Sequence, residues 1–165
     1  MFLRSWLFVP GLISILFVVG CGGGSNSGPV EELVPVGGTL LVDGKPLDGV
    51  AVTFIPDVSK KNRGGSGTTD ATGAFTVTHL GRNLPGLPPG KYTLAYSRMR
   101  LSDGSAAPKL KVGEPENPEN IPIEMLPMHV QSPDPTLPSS QVEIPKNGNT
   151  KLELKVSTKK QNLSQ

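Results

Sequence analysis

One cysteine, Cys21, stands among the 165 residues of this chain. No disulfide can close within a single copy, so packing alone must hold the fold together. Histidine is almost as scarce, with only His79 and His129. Neither is followed by a Glu at ligand spacing, and no Cys or Asp cluster joins them, so no metal site is expected. Aromatic residues make up 5% of the chain. Phe2, Trp6 and Phe8 fall in the first ten residues and Phe17 follows in the first apolar run, which leaves the core mostly to Val, Leu and Ile. The formal net charge is only +2. Its basic clusters, Lys60-Lys61 with Arg63 and Lys159-Lys160, are not interleaved with aromatics. Such a chain gains little from phosphate contacts, and nucleic acid is excluded as a partner. No segment shows sustained helical periodicity.

Glycine and proline are abundant instead, with 20 and 17 copies. That composition points to many short strands joined by turns. Residues 1–20 read as a secretory signal: Arg4 supplies a positive start, and an apolar stretch runs from Trp6 to Val19. The stretch is short for a bilayer span, and Pro10-Gly11 interrupts it. It ends in Val18-Val19-Gly20-Cys21, which resembles the bacterial lipobox. Small Gly20 gives a peptidase access to the bond before Cys21. The Cys21 thiol can carry a diacylglyceryl group and its freed amine an acyl chain. Each buried methylene contributes about 0.8 kcal/mol to anchoring, so several chains hold stably. Residues 21–33 then read as a flexible tether, with Gly22-Gly23-Gly24-Ser25-Asn26-Ser27-Gly28-Pro29 at its start. In bacteria with two membranes, Gly22 in place of Asp favours the outer one.

From Val34 the pattern turns to strands. Thr39 to Val42 stops at Asp43-Gly44, a hairpin signal, and Val50 to Pro56 follows as the next run. Val50, Val52 and Phe54 share one face. Residues 57–67 read as a polar loop, with Gly65-Ser66-Gly67 as spacer. Asp70 and Gly73 occupy the ends of a type I turn, after which Phe75 and Val77 point inward. Residues 80–90 form another loop. Tyr92, Leu94 and Tyr96 then share a face. A last pair of strands, 141–144 and 150–156, flanks Asn147-Gly148, the second reading as a half-buried antiparallel strand. Strands at this spacing imply a β-sandwich or barrel.

Three motifs carry a resemblance. Asp43-Gly44-Lys45-Pro46-Leu47-Asp48-Gly49-Val50, Thr69-Asp70-Ala71-Thr72-Gly73-Ala74-Phe75 and Pro89-Gly90-Lys91-Tyr92 resemble, in order and spacing, those of carboxypeptidase regulatory-like domains. The resemblance implies an all-β, transthyretin-like (prealbumin-like) Greek-key sandwich of about seven strands over 34–158. A Pro-rich insertion at 98–140 departs from it. That segment is either disordered or a functional lid or edge strand around Ile121 to Met128. Residues 159–165 read as a disordered tail.

The chemistry of related enzymes is not supported. Zinc carboxypeptidases need His and Glu close together. Transthyretin-like hydroxyisourate hydrolases carry paired His and Arg and a Tyr-Arg-Gly-Ser ending, whereas this chain ends Lys-Gln-Asn-Leu-Ser-Gln. No nucleophile elbow or nucleotide-binding glycine loop is present. No catalytic residue, cofactor or metal is therefore expected. His79 reads as a half-buried capping histidine. Tyr92 and Tyr96 read as core, with a sugar-stacking platform as their alternative. The expected function is a non-enzymatic, lipid-anchored binding or scaffolding module of the cell envelope. Carbohydrate binding is the alternative and a hydrolase the remote one. Its expected partners are the membrane, through Cys21, and an envelope protein or polysaccharide.

Overall fold

Strict alternation of apolar and polar residues builds two facing sheets around one core. A computed structural model of the chain describes residues 32–57, 62–106, 121–132, 134–135 and 140–159. The expected signal segment, Cys21, all but the last two residues of the tether and all but the first of the tail lie outside these. In the first sheet, β1 (Val36–Val42) is central. It pairs on one side with β2 (Lys45–Pro46) and β5 (Ala74–Thr76). On the other it pairs with β11 (Asn149–Val156). The second sheet runs in the order β10 (Gln141–Ile144), β7 (Gly90–Ser97), β3 (Ala51–Pro56), β4 (Gly65–Thr68), β6 (Thr78–His79). A small ribbon pairs β8 (Met99–Arg100) with β9 (Ile123–Glu124), and one short helix, α1, spans Met128–Gln131. The fold is all-β with several sheets, and its two large sheets enclose a common apolar cluster in the manner of a β-sandwich.

Both sheets feed that cluster. Val50, Val52 and Phe54 are fully buried, and Tyr92, Leu94 and Tyr96 nearly so. From the first sheet come Val36, Leu40, Phe75, Leu152 and Leu154. The Phe54 ring lies 6.3 Å from Phe75 across the sheets and 6.1 Å, edge-on, from Tyr92. Such tilted ring pairs add to the gain from burial itself. The expected inward rows of β3 and β7 are all found.

The turn chemistry is found as well. Asp43 and Gly44 take φ of 50° and 79°, the left-handed pair a tight hairpin needs. Asp70 Oδ1 accepts from the Thr72 and Ala74 N–H groups at 2.8 and 3.0 Å, while Gly73 N–H donates to the Asp70 carbonyl at 2.9 Å.

Several expectations are corrected. The run after Asp43-Gly44 returns to β1 for only two residues, and β3 crosses to the other sheet. Gly65-Ser66-Gly67 is part of strand β4, not a loop spacer. A Cβ at Gly65 would lie 2.6 Å from the Thr78 carbonyl oxygen, and one at Gly67 2.4 Å from that of Thr76. Glycine here lets backbones approach. The stretch from Ala74 to His79 divides at Val77: β5 joins the first sheet and β6 the second. The two last strands do not form a hairpin, and β11 is not antiparallel to its neighbour. Around Asn147-Gly148 the chain leaves the second sheet, where β10 pairs β7, for the first, where β11 runs parallel to β1. Each sheet takes one apolar row, Ile144 in one and Leu152 with Leu154 in the other. Within the 98–140 segment, Leu126 and Val130 are buried in the core, and residues 107–120, 133 and 136–139 lie outside the described residues.

Gly38 sits where β1 and β11 touch. A Cβ there would fall 2.1 Å from the Leu152 carbonyl oxygen. Gly38→Ala is expected to destabilise the fold by about 1–3 kcal/mol, read as a lower midpoint of denaturant unfolding. Gly104→Ala meets nothing within 4 Å, carries only the strain of its positive φ, and is expected to cost less.

Candidate functional site

Cys21, the expected lipid attachment point, lies outside the described residues. The remaining singled-out side chains can be placed. Among the described residues no three His, Cys, Asp or Glu gather as metal ligands. His79 caps a turn, as its position at the end of an inward alternation implied. It is buried, and its Nδ1 accepts from the Gly81 and Arg82 N–H groups at 3.0 and 3.1 Å. An acceptor Nδ1 places the proton of the neutral ring on Nε2. His129 is exposed and lies 3.3 Å from the Ser157 carbonyl oxygen.

Both tyrosines belong to the core. Tyr92 is 2% exposed, and its hydroxyl donates to the Pro88 carbonyl and accepts from Asn62 Nδ2, each at 2.6 Å. Burial pushes the Tyr96 hydroxyl well above its ordinary pKa. With Phe54 and Phe75 buried too, no described aromatic ring offers a stacking face.

An ionic cluster that sequence patterning did not single out joins the ribbon to the sandwich. Arg98 Nε donates to the Asp48 carbonyl at 2.8 Å and its Nη2 to Asp48 Oδ1 at 3.0 Å. Arg100 Nη2 meets Asp48 Oδ2 at 2.5 Å. Arg100 is buried, and its Nε has no hydrogen-bond partner among the described residues. Gly49, with φ 69°, makes room: a Cβ there would lie 2.2 Å from Arg100 Nη2. The hydrogen bond from Arg98 holds the Asp48 carboxyl below its ordinary pKa, helped by the charge of Arg100. Glu124 stands nearby on β9. Burial pushes its carboxyl up, but the Ser97 hydroxyl and the N–H groups of Arg98, Leu126 and Met125 together hold it below the usual value. The arrangement uses its charges internally and is a clasp for the ribbon. Its only sequence signal is an Arg-x-Arg pair, which fixes no partner.

Surface recesses lie elsewhere among the described residues. One, of about 440 Å³, is bordered by Ile55, Pro56, Lys91, Thr93, Pro135 and Gln141. The other, of about 370 Å³, runs over β4, β5 and β6 and is lined by Ser66, Thr68, Thr76, Thr78, Asn83 and their neighbours. No family model, no curated protein and no solved structure matches the chain.

Two outcomes test the clasp. Asp48→Ala leaves Arg100 with a lost ion pair, but Asp48 is half-exposed at 53%. The expected cost is therefore about 1–3 kcal/mol in unfolding experiments, short of what a fully buried pair would lose. Asp48 and Glu124 both titrate low in the folded chain, so their stabilisation is complete above the unfolded carboxylate range. It is lost as pH falls through the folded values. Protection factors of the Arg98 and Leu126 amides, taken relative to the intrinsic exchange rate at each pH, are expected to fall on acidification before those of the core amides do.

Proposed function

We propose that this chain is a lipid-anchored bacterial envelope protein, a non-enzymatic binding or scaffolding module held to a membrane through Cys21. The observation that carries the reading is Val18-Val19-Gly20-Cys21 at the end of a short apolar run, followed at once by a Gly- and Ser-rich stretch. The physical logic is simple. A single cysteine beyond an export signal has no disulfide partner, and a thioether to lipid gives it a use. The domain beyond it is read as a transthyretin-like sandwich of the carboxypeptidase regulatory type. Support for that finer reading comes from where the three motifs fall: at the β1–β2 turn, at the Asp70–Gly73 turn, and at the start of β7. Gly22 favours the outer membrane over the inner one.

A sandwich suits binding through its edges, where an added strand can complete a sheet. β10 and β11 end the two sheets among the described residues. β11 is the longer, with 8 residues, and carries exposed Lys151, Glu153 and Lys155. Alternating charges of this kind deter indiscriminate edge pairing and leave room for a selected partner.

The test is metabolic labelling of the full chain in a bacterial host with an alkyne-tagged fatty acid. Wild type is expected to take up label and Cys21→Ala to take up none. Equal labelling of both, or of neither, contradicts the reading.

A further inference from the structure

We infer that the recess over β4, β5 and β6 is a binding groove for an uncharged saccharide. The inference gives the proposed module a ligand class. It rests on the reading that the module binds rather than catalyses, but not on the lipid at Cys21.

The groove is lined by Ser66, Thr68, Thr76, Thr78, Asn83 and their neighbours; four of these carry hydroxyls, and no Asp, Glu, Lys or Arg is among the described lining residues. Strand geometry sets those hydroxyls in a grid. Ser66 pairs directly with Thr78 across the antiparallel β4–β6 ladder, so both project from one face. Thr68 follows Ser66 by two residues, and Thr76 precedes Thr78 by two, with fully buried Val77 between them pointing the other way. Gly67 forms the floor, and the close approach of Thr76 to it leaves no space for a side chain.

Among the described residues no hydrogen bond engages the four hydroxyls or the Asn83 side-chain amide. Elsewhere in this chain the described hydroxyls of this type are often spent. Thr69 donates to the Leu47 carbonyl at 2.6 Å, Thr72 to Asp70 at 2.6 Å and Ser97 to Glu124 at 2.5 Å. The groove therefore concentrates unspent groups that both donate and accept. A saccharide presents the same dual groups at short intervals.

The lining also selects by charge. An anion would be met by a Lys or Arg in the lining and a cation by a carboxylate, and among the described residues that line the groove there is neither, Arg63 lying behind its wall against Gly81. Leu80, exposed at 59%, gives an apolar lip for the C–H face of a sugar ring. The wall that bears it is fixed in advance. Leu80 N–H donates to the Gly64 carbonyl at 3.0 Å and Asn83 N–H to the His79 carbonyl at 2.9 Å, while His79 Nδ1 holds the two amides between them. A preformed wall lowers the ordering cost of binding.

The experiment places the full chain, in detergent micelles, on an array of neutral and uronic-acid oligosaccharides. Signal is expected on neutral saccharides. Thr76→Val with Thr78→Val removes two hydroxyls while keeping β-branched shape, and is expected to weaken that signal by about tenfold or more. Should this double variant fail to fold, Thr68→Val is the second test, expected to weaken the signal severalfold. No signal, signal confined to acidic saccharides, or signal undiminished in a folded variant overturns the inference. Loss of fatty-acid labelling would leave it standing, so the two readings fail separately.

Discussion

The burial of Phe54 is the contact on which the rest of the structure depends. It is fully buried, and its ring reaches Phe75 in the opposite sheet and Tyr92 on the neighbouring strand. No disulfide and no described metal cluster shares the task, so two apolar faces must find each other through side chains alone. The two-residue period of a strand makes that possible. Val50, Val52 and Phe54 point one way while Ala51, Thr53 and Ile55 point the other. A slip of one residue would turn the row outward. The register of β3 against β7, with Phe54 opposite Leu94, is thus set by what the opposite sheet offers.

Much of this was legible in the residues. Alternation located the inward rows of β3, β7 and β11, and Asp43-Gly44, Asp70 to Gly73 and Asn147-Gly148 marked real turns. Pairing was less legible. Asn147-Gly148 looks like a hairpin loop, but a turn signal does not say whether the chain folds back beside its last strand or crosses to the other sheet. Here Ile144 is needed in one sheet and Leu152 with Leu154 in the other, so the chain crosses and β11 ends parallel to β1. Gly65-Ser66-Gly67 reads as flexible because glycine usually weakens strands. Its role depends on how near the carbonyls of Thr76 and Thr78 come, which is a tertiary fact.

The site was legible in a different measure. Burial of both tyrosines and the capping role of His79 followed from position alone. The hydroxyl groove did not. Ser66 and Thr68 lie some ten residues from Thr76 and Thr78, and the β4–β6 register that sets Ser66 beside Thr78 is a tertiary fact. The alternating Ser-x-Thr and Thr-x-Thr patterns were a signal, but outward Thr is ordinary in any strand. The Arg98–Asp48–Arg100 clasp was hidden for a similar reason: it closes over 50 residues of chain.

The proposed function needs a lipid on Cys21 beside the β-sandwich. Intact mass analysis of the amino-terminal peptide, taken from full chain recovered with bacterial membranes, tests that union most directly. The account expects a peptide that starts at Cys21 and is heavier by a diacylglyceryl group and an acyl chain. A peptide starting at Met1, or one starting at any residue with an unmodified thiol, would contradict it.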